Sequence, residues 1–352
     1  MAYLVELTEP RSVGIREYND PTPGSGEVVV RTWYSGISAG TELGMYRGTN
    51  PYLDRRWDAE MALFFSGEAT FSYPLDVWGY SEVGVVEKVG DSVCDLAVDD
   101  VVWGMWGHRS HAVLPAERLN GHRLPPGLNP MVGTFDRVGA VALNAVLAAG
   151  AFLGETVVVF GQGVIGLLTT QLLVGQGFEV MAVDTLPARL EVAERLGAIP
   201  VPADRDVALT VWQHTDGRGA DRVIELTGAY PALHEAIRCA GVDGTVVAGG
   251  FYQGPATALR LGEEFHHNRV RLVPSQIGAV PTVLRRRWSR QRLDSVVMQL
   301  CARGRLDPMP LVTHVLPADR AAEAFELLDK PPADLLQVIL DFRPQTITNG
   351  RS

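Results

Sequence analysis

The stretch VVVFGQGVIG, Val157–Gly166, constrains this chain more tightly than any other part of it. An apolar run ends on Gly161, and Gly163 and Gly166 follow in G-x-G-x-x-G spacing. Glycine-rich turns are common, so the spacing alone says little. Its context says more. The motif follows a fully apolar strand (ETVVVFG), opens a buried-looking helix over 164–176, and is succeeded by a second strand (FEVMAVD) ending in Asp184. That order is what a dinucleotide-binding strand–helix–strand unit requires. Gly161 permits the tight turn, Gly163 lets the backbone approach a pyrophosphate, and Gly166 allows the helix to lie close on the strand. The first turn of the helix, with Val164 and Ile165, offers free N–H groups and the positive end of the helix dipole to phosphate oxygens.

Asp184 stands where a carboxylate accepts hydrogen bonds from the adenosine ribose hydroxyls. A 2′-phosphate would meet a like charge there, so NAD(H) is favoured over NADP(H). Arg189, which could meet such a phosphate, works the other way. The competing reading of Asp184 is a plain cap on the next helix. Thr227 and Gly228, closing the later strand RVIELTG, are expected to line the nicotinamide side of the cofactor.

Beyond this unit, strands and helices keep alternating. PARLEVAERLG reads as a helix with Pro at its start and Gly at its end. DRVIELTG, GTVVAGG and RVRLVPS supply later strands, a pattern that means a parallel sheet with helices on both faces. The first ~130 residues differ: short valine-rich strands such as EVVVRTWYSGIS and VGVVEKVG are punctuated by Gly, Asp and Pro. From Arg137 the chain turns small, apolar and helix-compatible (VGAVALNAVLAAG). After residue 280, the run LRRRWSRQR reads most simply as a solvated helix start. Two helical patterns and a last strand, LLQVILDF, follow it, and the patternless tail RPQTITNGRS is expected to be loose.

At 352 residues and 46% apolar, the chain suits two domains rather than one core. Its formal charge of −10 argues against a nucleic-acid surface or an anionic membrane as partner. Lysine occurs only at Lys88 and Lys330, so a lysine nucleophile is not expected. Cys94, Cys239 and Cys301 lie far apart, giving neither a disulfide framework nor a cysteine-rich metal knuckle, which fits a reducing cytoplasm. The N-terminus lacks the basic and apolar regions of a signal peptide. No run of about 18 apolar residues suggests a membrane span. A cytoplasmic protein acting on a small-molecule substrate is expected.

With these pieces assembled, the chain resembles the medium-chain dehydrogenase/reductase family over nearly its whole length. SGISAGTELGMYRG, GYSEVGVVEKVG, GQGVIG, the Asp184 strand and RVIELTGAYPALHEAIRCAGVDGTVVAGG carry the resemblance. It implies an α/β protein with a GroES-like β-rich catalytic domain (1–138) and a doubly wound Rossmann NAD-binding domain (139–280). It further implies a C-terminal return to the catalytic domain (281–352), and a homodimer or homotetramer formed through the cofactor domain. The form SGISAGTE is similar to the zinc-less branch around bacteriochlorophyllide dehydrogenase; sorbitol and threonine dehydrogenases are more distant, zinc-bearing relatives.

The departures from that family concern the metal. Zinc-bearing members read G-I-C-G-T-D where this chain reads Gly36-Ile37-Ser38-Ala39-Gly40-Thr41-Glu42, with serine for cysteine and one residue inserted. Their Gly-His-Glu is here Gly79-Tyr80-Ser81, and the third ligand position falls at about Arg137, beside Asp136. The four-cysteine structural lobe has no counterpart around 91–115. Zinc needs several N, S or O ligands in tetrahedral array, so no zinc is expected at the family site. His108 and His111, three apart in WGHRSHAV, are the other candidate metal pair. Their segment is expected to lead away from the cleft, and such histidines are more often surface or satisfied core residues.

Any substitute for zinc must supply positive charge or hydrogen-bond donors at the substrate oxygen. By the resemblance, Thr41 matches the hydroxyl that passes the alcohol proton into a relay. Tyr80 could donate to that oxygen or accept its proton. With an ordinary pKa near 10 it would need nearby positive charge, which oxidised nicotinamide or Arg137 could provide. Glu42 matches a carboxylate that orients groups. Tyr80 reads equally as a filler of the vacated cavity, and for Ser38 and Ser81 filler is the simpler reading. On the substrate side, Ser38, Arg55, Arg56 and Trp57 could meet a carboxylate, phosphate or sugar face. The alternative for 55–57 is a solvated helix end around one buried tryptophan.

The expected activity is zinc-independent, NAD-dependent interconversion of a secondary alcohol (polyol, cyclitol or specialised metabolite) and a ketone. An NADPH-dependent quinone or enoyl reductase, and a nucleotide-binding subunit without turnover, remain the alternatives.

Overall fold

The computed structural model describes residues 1–344, so most of the patternless tail lies outside the described residues. The chain divides into two compact units, one comprising Met1–Phe135 and the chain from Val312 onward, the other Asp136–Leu311.

The first unit opens with an antiparallel hairpin, β1 (Ala2–Glu9) and β2 (Ser12–Tyr18). The long strand β3 (Glu27–Ile37) follows, then helix α1 (Ala39–Arg47) and a small separate hairpin, β4 (Arg55–Asp58) and β5 (Leu63–Ser66). β6 (Glu82–Val89), β7 (Val101–Gly104) and β8 (His111–Pro115) complete the N-terminal part.

The second unit holds α2 (Asp136–Ala149), β9 (Thr156–Phe160), α3 (Val164–Val174), β10 (Glu179–Asp184), α4 (Pro187–Arg195) and β11 (Ile199–Pro202). It continues through α5 (Val207–His214), β12 (Ala220–Glu225), α6 (Tyr230–Cys239), β13 (Ala240–Ala248), β14 (Arg271–Pro274) and α7 (Arg290–Ala302). β15 (Val312–Pro317), α8 (Ala321–Asp329) and β16 (Gln337–Asp341) then return the chain to the first unit.

In the first unit the principal sheet runs β15-β16-β3-β6-β7, with β8 also paired to β3. Every neighbour of β3 is antiparallel to it. Val28, Val29 and Val30 of β3 are all fully buried, so this strand is covered on both faces and reads as a continuous apolar run rather than an alternating one. One core gathers Val5, Leu7, Ile37, Tyr46, Trp78 and Phe325, with Trp78 and Phe325 stacked at 4.5 Å between centroids. α1 starts directly after β3, with Ser38 as its N-cap residue and Glu42 in the first turn, where a negative charge suits the helix dipole. It stops at Gly48, whose φ of 73° closes the helix with bonds from its N–H to Gly44 O and Met45 O.

The second unit is a six-stranded parallel sheet in the order β11-β10-β9-β12-β13-β14. That is the doubly wound order, and it reverses direction between β9 and β12, the crevice where such sheets bind nucleotides. Residues 285–289 of the arginine-rich run precede α7 rather than starting it; Ser289 caps the helix by accepting the Arg292 N–H at 3.1 Å. One helical stretch, Pro130–Ala149, is long and apolar enough to cross a membrane by length and composition, although Thr134, Asp136, Arg137 and Asn144 interrupt its apolar residues. It is 72% buried inside the protein and behaves as a core helix.

Candidate functional site

In the second unit the glycine turn sits at the carboxyl end of β9, beside the end of β12. Gly161 adopts φ 86°, and a Cβ placed on it would come within 2.7 Å of Thr227 Cγ2. A Cβ on Gly166 would stand 1.7 Å from the Gly161 carbonyl oxygen, so α3 rises directly off the turn. Gly163 is different. Only Arg189 Nη1, at 3.9 Å, lies near the position a Cβ would take, leaving a cradle in front of the helix. Gly163 caps α3 and accepts the Leu167 N–H at 2.8 Å, so the N–H groups of Val164, Ile165 and Gly166 precede the first helical bond. Open space, free N–H groups and a helix dipole together fit a pyrophosphate.

Asp184, buried at the tip of β10, accepts the Gln162 N–H on Oδ2 at 2.6 Å and the Leu186 N–H on Oδ1 at 2.9 Å. Leu186 rather than Asp184 is the N-cap residue of α4. The carboxylate therefore ties the glycine turn to the approach of the next helix, and each oxygen retains a lone pair for a ribose hydroxyl. Arg189 Nη1 lies 3.8 Å from Asp184 Oδ2. Thr227 and Gly228 are held by Glu225, which sequence reading passed over. Its carboxylate accepts the Thr227 N–H at 2.6 Å and the Gly228 N–H at 3.3 Å, and the hydroxyls of Thr227 and Tyr252 also donate to it. Burial pushes the Glu225 carboxyl above its usual range, against the pull of those donors. Arg137, on α2, is half-buried, and its charge opposes the burial that raises the carboxyl of Asp294 on α7.

In the first unit, Ser38 joins β3 to α1. Its hydroxyl accepts from the Tyr80 phenol, and its N–H donates to Glu42 Oε1 at 2.8 Å. Thr41, half-buried in the first turn of α1, bonds Ser38 O through its backbone N–H at 3.1 Å. Glu42 Oε2 lies 2.8 Å from His108 Nε2, and His108 Nδ1 lies 2.7 Å from Ser35 Oγ. The Ser35 hydroxyl donates to Glu82 Oε1 at 3.0 Å. Glu82 also accepts the N–H groups of Ser81 at 3.0 Å, Trp106 at 2.6 Å and Gly107 at 3.0 Å. Burial raises the Glu82 carboxyl above its usual range. For His108, burial works against the charged form, but the carboxylates of Glu42 and Glu82 outweigh it and hold the imidazole above its ordinary value.

This donor set does not fit the zinc of the family that the sequence resembles. The cysteine and histidine positions carry two neutral hydroxyls bonded to each other, and the Glu42 carboxylate is engaged by Ser38 N–H and His108. Among the described residues, a grouping with metal-ligand spacing lies instead in the second unit, where His234, Glu263 and Glu264 bring ligand atoms within 4.8 Å of one another.

The two histidines differ, and one alternative for residues 55–57 is corrected. His108 is a core histidine with both ring nitrogens partnered, one of the two simpler readings, and its ring is buried against Glu42 at 2% exposure. His111 alone is half-exposed, with Nδ1 3.0 Å from Ser110 Oγ. Residues 55–57 form a strand of the β4–β5 hairpin rather than a helix end, and Trp57 is 41% exposed, its ring 4.9 Å from that of Phe64. Arg56 turns to Asp58 at 2.9 Å and Glu68 at 2.7 Å, so its charge is spent within the hairpin region, while Arg55 is exposed. Of the residues passed over, Glu82 and Glu225 carried a signal, an acid beside apolar residues at the end of a largely buried strand. Ser35 carried none, and His108, noted only as half of a possible metal pair, carried no sign of its contact with Glu42.

Comparison with known proteins places these features. A family model described as zinc-binding dehydrogenase matches residues 164–291. The chain is 28% identical over 346 residues to D-guloside 3-dehydrogenase of Escherichia coli (strain K12), covering 95% of this chain and 98% of that protein. The structure of 2R,3R-butanediol dehydrogenase from Bacillus subtilis is similar with a TM-score of 0.79 at 23% identity, over 98% of this chain and 100% of that one. An alcohol dehydrogenase (rspB) from Escherichia coli CFT073, complexed with NADH, is similar with a TM-score of 0.77 at 21% identity, over 97% of this chain and 99% of that one. The chain has the medium-chain dehydrogenase/reductase fold, and its full-length dehydrogenase relatives support an oxidoreductase function.

Proposed function

We propose that this oxidoreductase is an NAD-dependent, zinc-independent dehydrogenase that interconverts a secondary alcohol of a polyol, cyclitol or sugar derivative and the corresponding ketone. The observation that carries the reading is the Ser38–Tyr80 hydroxyl pair at the start of α1, at two positions that the resemblance assigns to zinc ligands. The likeness to a D-guloside dehydrogenase supports a carbohydrate-derived alcohol, and the Asp184 carboxylate beside the glycine turn supports NAD over NADP.

When bound at the glycine turn, NAD+ would supply the hydride acceptor. The remaining tasks fall to this chain. The Ser38 and Tyr80 hydroxyls share one hydrogen bond, so one of their two protons remains to hold a carbinol oxygen. The Thr41 hydroxyl offers a second contact and an exit for the alcohol proton. The N-terminal end of α1 favours the negative charge that develops on the oxygen as hydride leaves.

The test is a titration of chelator-treated protein with NADH and NADPH, followed by a panel of polyols and glycosides with NAD+. Tighter NADH binding and NAD+ reduction without metal are expected. Preference for NADPH with reduction of activated C=C bonds would replace this reading with a quinone or enoyl reductase. Binding of neither nucleotide would remove the dehydrogenase reading.

A further inference from the structure

We infer that His108 is a positioning residue for the hydroxyl pair: through Glu42 it fixes the backbone of Ser38, and with it the start of α1 that presents Ser38 and Thr41. This rests on the proposed dehydrogenase reading and assigns to it a residue outside the substrate-facing groups.

The connection is continuous. His108 Nε2 meets Glu42 Oε2 at 2.8 Å, the other oxygen of that carboxylate receives the Ser38 N–H at 2.8 Å, and the Ser38 hydroxyl receives the Tyr80 phenol. Glu42 and His108 are each 2% exposed, so neither can exchange its partner for water. The proton count follows from the bonds. A serine hydroxyl has one proton; Ser35 gives it to Glu82 Oε1 and so accepts from His108 Nδ1. Nε2 faces a carboxylate oxygen. With Glu42 and Glu82 ionised, an imidazolium that donates from both nitrogens satisfies every one of these contacts.

The surroundings agree. Glu42 reaches the ring from α1, Ser35 from β3 and Glu82 from β6; Arg109, the next residue along, turns its guanidinium to Asp76 O at 2.8 Å. The edges of Trp78 and Phe325, with centroids 5.4 and 6.1 Å from that of His108, form apolar walls. Without the imidazole, Glu42 would keep a buried oxygen with no donor. It would then have to take up a proton or rotate, and either change loosens its hold on the Ser38 N–H. The damage is thereby directed at the start of α1, not at the nucleotide site.

The deciding experiment compares wild type, His108→Gln, Glu42→Gln and the double variant by steady-state kinetics and by hydrogen exchange at the Ser38 amide. We expect His108→Gln to lower kcat by about 10- to 100-fold while the NADH dissociation constant stays put. The double variant should be no slower than the poorer single one, because both act through the same contact. Exchange at the Ser38 amide should accelerate about 10-fold or more. An unchanged kcat together with unchanged Ser38 exchange would overturn the inference and leave the dehydrogenase reading intact. Accelerated exchange in a protein that oxidises no alcohol would uphold the coupling and sink that reading instead. Should His108→Gln fail to fold, Ser35→Ala, which removes the Nδ1 partner and one donor to Glu82 but leaves the Glu42 contact, must give a smaller acceleration of the same amide; no acceleration would count against the inference.

Discussion

The two units carry sites made of opposite materials. The proposed nucleotide site of the second unit is mostly backbone: a glycine turn, the first N–H groups of α3 and a strand tip, with Asp184 as its main side chain. The site of the first unit is almost wholly side chains, in which Ser35, Ser38, Glu42, Tyr80, Glu82 and His108 meet from four segments. A backbone site is defined by atoms that must be missing, and one added methyl destroys it. A side-chain site is defined by partners, and losing one redistributes bonds among the rest.

The largest test of that contrast is Gly166→Ala. Its methyl would stand 1.7 Å from the Gly161 carbonyl, a backbone atom that cannot step aside. We expect NADH binding to disappear and calorimetry to show a loss of about 3 kcal/mol or more. If Gly166→Ala binds NADH normally, the glycine turn does not shape the nucleotide site. In the other unit, Tyr80→Phe and Thr41→Val should each lower kcat about 100-fold with NADH affinity intact; near-normal turnover in both would put the proton path elsewhere. Next in size, Asp184→Ala should weaken NADH by about 10- to 100-fold and erode its advantage over NADPH, measured by fluorescence titration. An unchanged ratio would make Asp184 a structural tie alone.

A smaller effect is read by pH, and in the first unit Glu82, which burial also raises, adds to it with the same sign. The folded pKa of His108 lies above its ordinary 6.5. Its contribution to stability is therefore complete below that value and is lost as pH rises through the folded pKa. Denaturant midpoints across neutral to alkaline pH should show this slope in wild type and a shallower one in His108→Gln. Glu225, also raised, from 4.5, acts with the same sign, with its loss beginning at lower pH in the second unit. The smallest expected change is that of chelation: removing divalent metal should leave kcat where it was, and restoration of activity by zinc alone would reverse the zinc-independent reading.

The same contrast explains what could be read in advance. The parallel sheet, its helices and the glycine turn were legible because local patterns specify them: apolar strands, G-x-G-x-x-G, Pro before and Gly after a helix. Asp184 was legible because its distance from the turn is set by one strand–helix–strand unit. His108 and Ser35 were not, since their meeting with Glu42 and Glu82 depends on pairings across β3 and β6 and on a loop after β7, none of which leaves a mark in local sequence. The β4–β5 hairpin was hidden for a different reason. Its exposed aromatics, Trp57 and Phe64, imitate a buried pattern while facing outward in part.

The return of the chain also sets an order of events during synthesis. β3 is complete at Ile37, yet its last residues pair with β16, where Val338 stands opposite Ile37 and Gln337 donates to the Ile37 carbonyl across 300 residues of sequence. At ribosomal speeds of about 5–20 residues per second, that edge waits roughly 15–60 s for its neighbour. The second unit is contiguous and emerges entirely within the interval, so it can close before the first is whole. A nascent chain stalled before Val312 would thus present a nucleotide-binding fold joined to an open strand edge, the exposed template on which chains of this kind aggregate.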